Sequence, residues 1–157
     1  MEGPTCDLVL VGVYLPHSGK KALPHAFHVL GELRKFLAGL GPHDCVLILG
    51  DLNAQLGRCI EGITGKWTWS IEGDKRNAPQ VVSIMRQFGL VAVNTLFQPP
   101  RGHSVATWQR PSLRALRLAA QTGPPKGVSV RCKPKQFDYI LCSSRWKSCC
   151  TDAKVSW

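Results

Sequence analysis

The strongest constraint on the fold is a pair of continuous apolar runs separated by a segment with helical period. The first run, Leu8 to Leu15, reads LVLVGVYL, and the second, Cys45 to Leu49, reads CVLIL. Their length and β-branched content predict two strands that are buried on both faces. Between them, apolar residues recur every three or four positions from Pro24 to Leu40, which predicts a helix that Gly41-Pro42 ends. The order strand, helix, strand indicates a layered α/β fold.

The second half of the chain adds one helix and several shorter strands. Asn77 followed by Gln80 resembles a capping box at the start of a helix whose apolar face ends at Gly89. Residues 57–76 and the basic stretch from Pro111 to Lys135 lack a clear period and are predicted to be loops. The remaining apolar segments predict strands: Leu90 to Phe97, Val105 to Trp108, Phe137 to Cys142, and the beginning of one at Asp152 to Trp157.

The positive charge of the chain is concentrated in its last third. The 157 residues carry a formal net charge of +10 and are 44% hydrophobic, which suits one domain with a core. Residues 101–157 hold 11 Lys and Arg against 2 Asp and Glu, whereas residues 1–100 are nearly balanced. Such a basic block predicts a polyanionic partner, nucleic acid above all, although a solvated basic surface without a partner has the same composition.

Neither a membrane span nor a disulfide framework is indicated by the sequence. No apolar run has the length required to cross a bilayer, so a membrane is not expected among the partners. The seven cysteines are odd in number, scattered and without a C-x-x-C pair, which favours reduced thiols. We therefore expect an intracellular protein, nuclear or cytoplasmic, of undetermined oligomeric state. The adjacent Cys149 and Cys150 are either reactive or a chance pair near a strand.

The segment Gly50-Asp51-Leu52-Asn53 is the strongest candidate for chemistry. It lies where a predicted buried strand runs into a loop, and residues two apart in a strand point to the same side. Asp51 and Asn53 are therefore expected to converge at a strand tip, where α/β proteins place ligands. The carboxylate could orient or deprotonate a water, and the amide could hydrogen-bond a phosphoryl oxygen. An ordinary turn is the alternative, because Gly, Asp and Asn are common turn formers.

Three further segments contribute candidate residues. Tyr14 and His17 lie in the sequence Tyr-Leu-Pro-His-Ser-Gly at the end of the first predicted strand, where rim packing is the alternative for the tyrosine. Thr107 and Trp108 are adjacent, and a half-buried aromatic is the alternative there. Asp138 interrupts the apolar sequence FDYIL. A carboxylate inside an apolar strand requires a partner, because burying it unpaired is costly.

Taken in order, Tyr-x-Pro-x-x-Gly, Gly-Asp-x-Asn, Thr-Trp and Asp-Tyr-Ile-Leu resemble the motifs of the endonuclease/exonuclease/phosphatase superfamily. The segment Asn77 to Phe97, which ends in VNTLF, is similar to the endonuclease domains of non-long-terminal-repeat retrotransposons and to cellular proteins derived from them. The resemblance implies an α/β (α+β) fold, specifically a partial four-layered α/β sandwich with mixed β-sheets flanked by helices. It also implies Mg²⁺- or Mn²⁺-dependent cleavage of phosphodiester bonds in nucleic acid, with DNA favoured over RNA.

The resemblance assigns a role to each matching residue. The catalytic residues that it implies are Tyr14, Asp51, Asn53 and Asp138, and the substrate-binding residues are His17, Thr107 and Trp108. Asp51 would align or activate the attacking water, Asn53 would hold a phosphoryl oxygen, and Tyr14 would polarise the scissile phosphate. Asp138 would orient a histidine, and the metal ligands stay unassigned. Positioning and charge neutralisation would supply most of the catalysis.

The family pattern also includes residues without a counterpart in this sequence. These are a metal-binding glutamate ahead of Tyr14 and a catalytic histidine beyond Asp138. We therefore expect residues 1–157 to form a single partial domain that lacks an N-terminal portion and a final Asp-His strand, with impaired or absent cleavage. Two other functions stay open: a non-catalytic basic remnant that binds nucleic acid, and an interaction fragment or relic with neither property.

Overall fold

The computed structural model describes residues 6–17, 19, 21–99, 105–108 and 135–153. The regular elements, in chain order, are β1 (Leu8–Tyr14), α1 (Leu23–Ala38), β2 (Cys45–Asp51), α2 (Asn77–Gln87), β3 (Leu90–Ala92) and β4 (Asp138–Ser143). Short 3₁₀ helices follow β3 (Val93–Thr95) and β4 (Ser144–Cys149). Most of the predicted Pro111 to Lys135 loop and of the predicted Asp152 to Trp157 strand lies outside the described residues. Much of the basic block falls there too.

The four strands form one mixed sheet in the order β1-β2-β4-β3. β1 is parallel to β2, and β4 is antiparallel to both β2 and β3. The parallel pair is connected through α1, as expected for a strand–helix–strand unit. This architecture confirms the predicted α/β class with a mixed sheet flanked by helices. None of the helices in the described part of the chain is long and apolar enough to span a membrane.

The core lies between one face of the sheet and the two helices. In β2 and β4 it contains alternate residues, which is the period of a strand with one buried face. In the helices the buried positions recur every three or four residues, as amphipathic packing requires. The main core side chains are Val46, Ile48, Tyr139 and Leu141 from the strands, and Leu30, Leu33, Leu37, Val81, Ile84 and Met85 from the helices.

The opposite face of the sheet, here called the outer face, is only partly covered. Leu8 and Leu10 of β1 are 61% and 63% exposed, and Leu49 of β2 is 44% exposed. The prediction that β1 is buried on both faces is therefore wrong. Its valines pack against the core, whereas every second residue points away from the helices. A continuous apolar run does not reveal whether a second layer covers both sides of a strand.

Three local predictions are also corrected by the structure. The strand predicted from Leu90 to Phe97 ends at Ala92, where the Thr95 hydroxyl donates to the Ala92 carbonyl and stabilises a 3₁₀ turn. Val105 to Trp108 is not a strand, and only an isolated bridge joins Trp108 to Lys135. The capping box of Asn77 is wrong as well, because Asp74 Oδ1 accepts the backbone N–H groups at the start of α2.

Gly50 permits the close approach of β1 and β2 immediately before Asp51. It pairs with Val13, and a Cβ added to Gly50 would overlap the Val13 carbonyl oxygen. We expect Gly50→Ala to lower the free energy of unfolding by about 3 kcal/mol, the cost of forcing a methyl group into filled space. Gly12→Ala is the matched control, because a Cβ there meets nothing within 4 Å. Urea denaturation of both variants should give a change for Gly12→Ala within about 0.5 kcal/mol, and equal midpoints would contradict this packing.

Candidate functional site

The motif segments converge on one cleft at the edge of the sheet where β1 and β2 end. The cleft has a volume of about 430 Å³. Five of the seven predicted site residues line it. Its lining residues are Tyr14, His17, Gly19, Asp51, Asn53, Trp108, Lys135 and Phe137. The remaining two predicted residues, Thr107 and Asp138, lie directly beside this lining. Sequence positions more than a hundred residues apart are thus brought together by strand pairing.

The pairing of β2 with β4 places two carboxylates opposite each other. Asp51 is the direct partner of Asp138 in this antiparallel pair, and Tyr14 is the partner of Asp51 on the other side. Side chains directly opposite each other project from the same face of a sheet, with Cβ atoms roughly 5 Å apart. Asp138 is exposed, so the expectation of an acid buried inside a strand is wrong: Asp138 is the first residue of β4.

The carboxyl group of Asp51 has a raised pKa. Burial raises the pKa of its carboxyl group, and the negative charge of Asp138 raises it further. The backbone N–H of Asn53 donates to Asp51 Oδ1 at 2.8 Å, which lowers the pKa and partly opposes these effects. The hydrogen bond also fixes the orientation of the carboxylate. Asp51 therefore combines a fixed position with a raised affinity for a proton.

Asn53 reaches the cleft by a different route from the predicted one. β2 ends at Asp51, and Asn53 has a φ of 41°, a left-handed conformation that asparagine tolerates better than most residues. Its side-chain Nδ2 donates to the carbonyl oxygen of Leu15 at 2.8 Å. The Asn53 side chain thus ties the end of β1 to the end of β2. The predicted convergence with Asp51 is observed, but it results from a turn rather than from strand alternation.

Aromatic side chains and a lysine form the other wall of the cleft. The rings of Trp108 and Phe137 are 6.0 Å apart, and Lys135 Nζ lies 5.9 Å from the Trp108 ring centre and 5.5 Å from that of Phe137. Thr107 does not line the cleft. Its hydroxyl oxygen accepts the backbone N–H groups of Phe137 and Asp138 at 3.0 and 3.1 Å. Thr107 therefore positions the start of β4 and the aromatic wall.

Tyr14 and His17 occupy the exposed rim of the cleft. Tyr14 is 66% exposed at the end of β1, so its hydroxyl is accessible to a ligand. His17 Nδ1 lies 3.1 Å from the backbone N–H of Gly19 and accepts its hydrogen bond. This contact holds the imidazole against the loop. Nε2, the other ring nitrogen, takes no part in this hydrogen bond.

Two asparagines that support the site were not recognised from the sequence. Asn77, 1% exposed, donates through Nδ2 to the carbonyl oxygens of Pro16 and Asn53, while its Oδ1 is buried without a hydrogen-bond partner. Asn94 donates to the Asp138 carbonyl and accepts the N–H of Ile140. Asn94 could have been recognised from the sequence, because an amide side chain inside the apolar run LVAVNTLF needs hydrogen-bond partners.

The donors at this edge of the sheet suit a hard divalent cation. No group of three or more His, Cys, Asp or Glu side chains suited to a metal is found within the ranges that the structure describes. Mg²⁺, however, is commonly held by only one or two carboxylates together with water and substrate phosphate oxygens. The facing carboxylates of Asp51 and Asp138 match that requirement. A bound cation would neutralise their two negative charges and so relieve their mutual repulsion. The residues therefore fit Mg²⁺ or Mn²⁺ better than a softer metal.

Comparison with known proteins finds homologues that extend over nearly the whole chain. No family model matches the sequence. The chain is 27% identical over 160 residues to craniofacial development protein 2 of Bos taurus, and 30% identical over 160 residues to the protein of that name from Tragulus javanicus. Each alignment covers 98% of this chain but only 22% and 23% of the relative. The chain therefore spans less than a quarter of the length of these curated relatives.

The repulsion between the facing carboxylates should be measurable as a dependence of stability on pH. The folded-state pKa of Asp51 is raised, so ionisation of Asp51 costs stability as the pH rises above its unfolded-state value. Asp138→Asn removes the facing charge, and we expect it to raise the free energy of unfolding at neutral pH by up to about 1 kcal/mol. The gain should shrink as the pH falls and Asp51 takes up its proton, because the repulsion requires the ionised form of Asp51.

Urea denaturation across this pH range and an NMR titration of the Asp51 carboxyl carbon would check both parts. The pKa of Asp51 should fall in Asp138→Asn. Glu61→Gln is the control, because Glu61 is an exposed acid outside the cleft. A loss of stability in Asp138→Asn at neutral pH would contradict the proposed repulsion.

Asn77 should contribute more to stability than its place at the start of a helix suggests. Asn77→Ala leaves the carbonyls of Pro16 and Asn53 without this donor, so we expect a loss of about 1–3 kcal/mol. Gln80→Ala, at the other position of the rejected capping box, removes an exposed side chain and should change stability by less than about 0.5 kcal/mol. Thermal or urea unfolding of both variants distinguishes the two arrangements. Equal losses would favour the capping box.

Proposed function

We propose that this chain carries the phosphate-cleaving part of a metal-dependent phosphodiesterase of the endonuclease/exonuclease/phosphatase kind, acting on nucleic acid and on DNA in preference to RNA. The observation that supports this most directly is the pairing of Asp51 with Asp138 at the edge of the sheet. Natural sheets avoid like charges directly opposite each other, because they are destabilising. Such a pair beside a cleft is typical of a site at which function opposes stability.

The residues of the cleft can divide the tasks of phosphodiester hydrolysis. Asp51, oriented by the Asn53 N–H, would align a water and accept its proton. The Tyr14 hydroxyl and the Asn53 amide would hydrogen-bond phosphoryl oxygens without adding negative charge. Mg²⁺ or Mn²⁺, held by Asp51 and Asp138, would neutralise charge on the phosphate when bound. Lys135 offers a further positive charge to the nucleic-acid backbone on the opposite wall.

A second candidate function, binding without cleavage, is supported by the aromatic wall. Trp108, 38% exposed, lies beside Phe137 and under Lys135, so one surface presents a ring for base stacking and a cation for a phosphate. Aromatic stacking together with basic side chains is the common chemistry of single-stranded nucleic-acid binding. The concentration of positive charge in residues 101–157 agrees with it.

A plasmid-nicking assay with Mg²⁺ and with Mn²⁺ tests the catalytic proposal. Asp51→Asn keeps the shape of the side chain but removes the base, so we expect cleavage to fall by at least about 100-fold. Glu61→Gln, outside the cleft, should cleave like the unaltered chain. Cleavage by Asp51→Asn at the unaltered rate would overturn the role of Asp51.

Binding measurements separate the two functions if no cleavage is seen. In the non-catalytic case, Asp51→Asn should bind single-stranded DNA at least as tightly as the unaltered chain. Lys135→Gln should bind more weakly and should lower the dependence of log affinity on log salt by about one unit. If Asp51→Asn cleaves DNA like the unaltered chain and Lys135→Gln binds DNA like the unaltered chain, both functions are contradicted for this cleft.

A further inference from the structure

A second pairing of tryptophan with lysine lies outside the cleft, in the loop between β2 and α2. Lys66 Nζ is 5.1 Å from the ring centre of Trp67, which is partly exposed, and Trp69 is 39% exposed. We call residues 66–69 the tryptophan segment. Ile71, just beyond it, is 77% exposed. Tryptophan is enriched at interfaces, and exposed apolar groups gathered on one segment are typical of a surface that binds something.

Hydrogen bonds hold the tryptophan segment in a defined conformation. Arg58 donates from Nε and Nη2 to the Thr68 carbonyl oxygen at 3.2 and 3.0 Å. The hydroxyl of Thr68, which is buried, donates to the Gly65 carbonyl oxygen at 3.0 Å. The backbone N–H of Trp67 donates to the Thr95 carbonyl oxygen at 3.1 Å. Because this backbone is fixed before a ligand arrives, binding to it would cost little conformational entropy.

The sheet topology places the tryptophan segment at the same end of the sheet as the cleft. β3 is antiparallel to β4, with Ala92 opposite Leu141, so β3 runs towards the end of the sheet at which Asp138 begins β4. Thr95 lies in the 3₁₀ turn that continues β3 there, and it accepts the Trp67 N–H. The tryptophan segment therefore lies on the β3 side of the cleft, across the sheet from β1.

A direct hydrogen bond connects the tryptophan segment with the aromatic wall of the cleft. The backbone N–H of Trp69 donates to Gln136 Oε1 at 3.1 Å. Gln136 stands in the chain between Lys135 and Phe137, two residues of that wall, and is only 1% exposed. One buried glutamine thus joins the two places in the described part of the chain where a lysine ammonium group lies over an indole ring.

We propose that the tryptophan segment is a second contact surface for single-stranded nucleic acid, which stacks the bases of nucleotides that lie outside the cleft. The proposal rests on nucleic acid being the ligand of the cleft. Every base has a flat aromatic face, so it can stack on an indole ring whatever the sequence, and Lys66 offers a positive charge to the adjoining phosphate. The substrate class that follows is nucleic acid with unpaired bases next to the bond that is cleaved.

Binding of a fluorescein-labelled oligothymidylate of about 12 nucleotides, measured by fluorescence anisotropy in EDTA, tests this surface. Trp69→Ala removes one stacking ring, so we expect the dissociation constant to rise roughly 5- to 100-fold. Trp69→Phe keeps an aromatic ring and should recover most of the lost affinity. Ile71→Ala is the matched control, because it shortens an exposed apolar side chain of the same loop without removing a ring. It should bind like the unaltered chain.

A blunt duplex of the same length separates stacking from a structural role of the ring. The bases of a duplex already stack on one another, so Trp69→Ala should change the duplex affinity much less than the single-strand affinity. Equal weakening of both would overturn the proposal, because it would indicate a distorted loop rather than lost stacking. Single-strand binding by Trp69→Ala at the unaltered affinity would overturn it as well.

The same variants distinguish this inference from the function proposed for the cleft. If Lys135→Gln weakens single-strand binding and Trp69→Ala does not, the cleft binds nucleic acid and the inference is wrong. If Trp69→Ala weakens single-strand binding and the unaltered chain nicks no plasmid, the inference stands without catalysis. An unaltered chain that binds no oligonucleotide overturns the inference, whereas plasmid nicking by that chain would leave the catalytic proposal standing.

A second copy of the chain is the competing occupant of the tryptophan segment. Size-exclusion chromatography of the unaltered chain and of Trp69→Ala tests for it. A variant that loses a dimer but binds the oligonucleotide at the unaltered affinity would assign the exposed rings to an interface between copies, and would overturn the proposal. Unchanged elution together with weakened single-strand binding is the expected result.

Discussion

The hydrogen-bonded register of β2 between β1 and β4 is the constraint on which the rest of the structure depends. One parallel and one antiparallel partner fix which residues face each other along its whole length. At the last residue of β2, this register brings Tyr14, Asp51 and Asp138 side by side. Near the first residue, it brings Cys45 close to Cys142. A slip of one residue would turn every one of these side chains to the other face of the sheet, so the arrangement at both ends of β2 depends on this register.

The outer face of the sheet therefore has three zones along its strands. Thiols lie at one end beside the exposed Leu8 and Leu10, Leu49 and Ile140 lie in the middle, and the carboxylates lie at the other end. The two ends also differ in their cost to the fold. The acids repel each other and raise the pKa of Asp51, whereas the thiols are neutral when protonated and are well suited to burial. At the acidic end, the repulsion between like charges therefore opposes the stability of the fold.

The sequence predicted the elements better than their ends or their surroundings. Helical periods and apolar runs located α1, α2, β1, β2 and β4 to within a few residues, because these patterns report local geometry. They could not show that β1 has an open face, because an apolar run is the same whether one or two layers cover it. The premature end of β3 depends on Thr95, whose hydroxyl also accepts the N–H of Gly65, a contact between distant segments that no local pattern contains.

The candidate site shows the same division. Asp51, Asn53, Tyr14 and Trp108 could be selected from the sequence as motif residues, and the structure does bring them to one cleft. Their supports could not, because Asn77 and Thr107 act on backbone groups of segments that only tertiary structure makes adjacent. Lys135 had no distinguishing signal among many basic residues. Sequence motifs therefore identify candidate catalytic and binding residues, whereas the residues that position them are identified only from the folded structure.

The open outer face makes the stability of this chain depend on its surroundings. Water against Leu8, Leu10 and Leu49 costs free energy in proportion to the apolar area. Any surface that displaces this water binds the folded chain and not the unfolded one, so it shifts the folding equilibrium by mass action. The melting temperature then becomes a function of protein concentration, or of the concentration of whatever covers the face. In the presence of such a surface, folding and association would be a single coupled equilibrium.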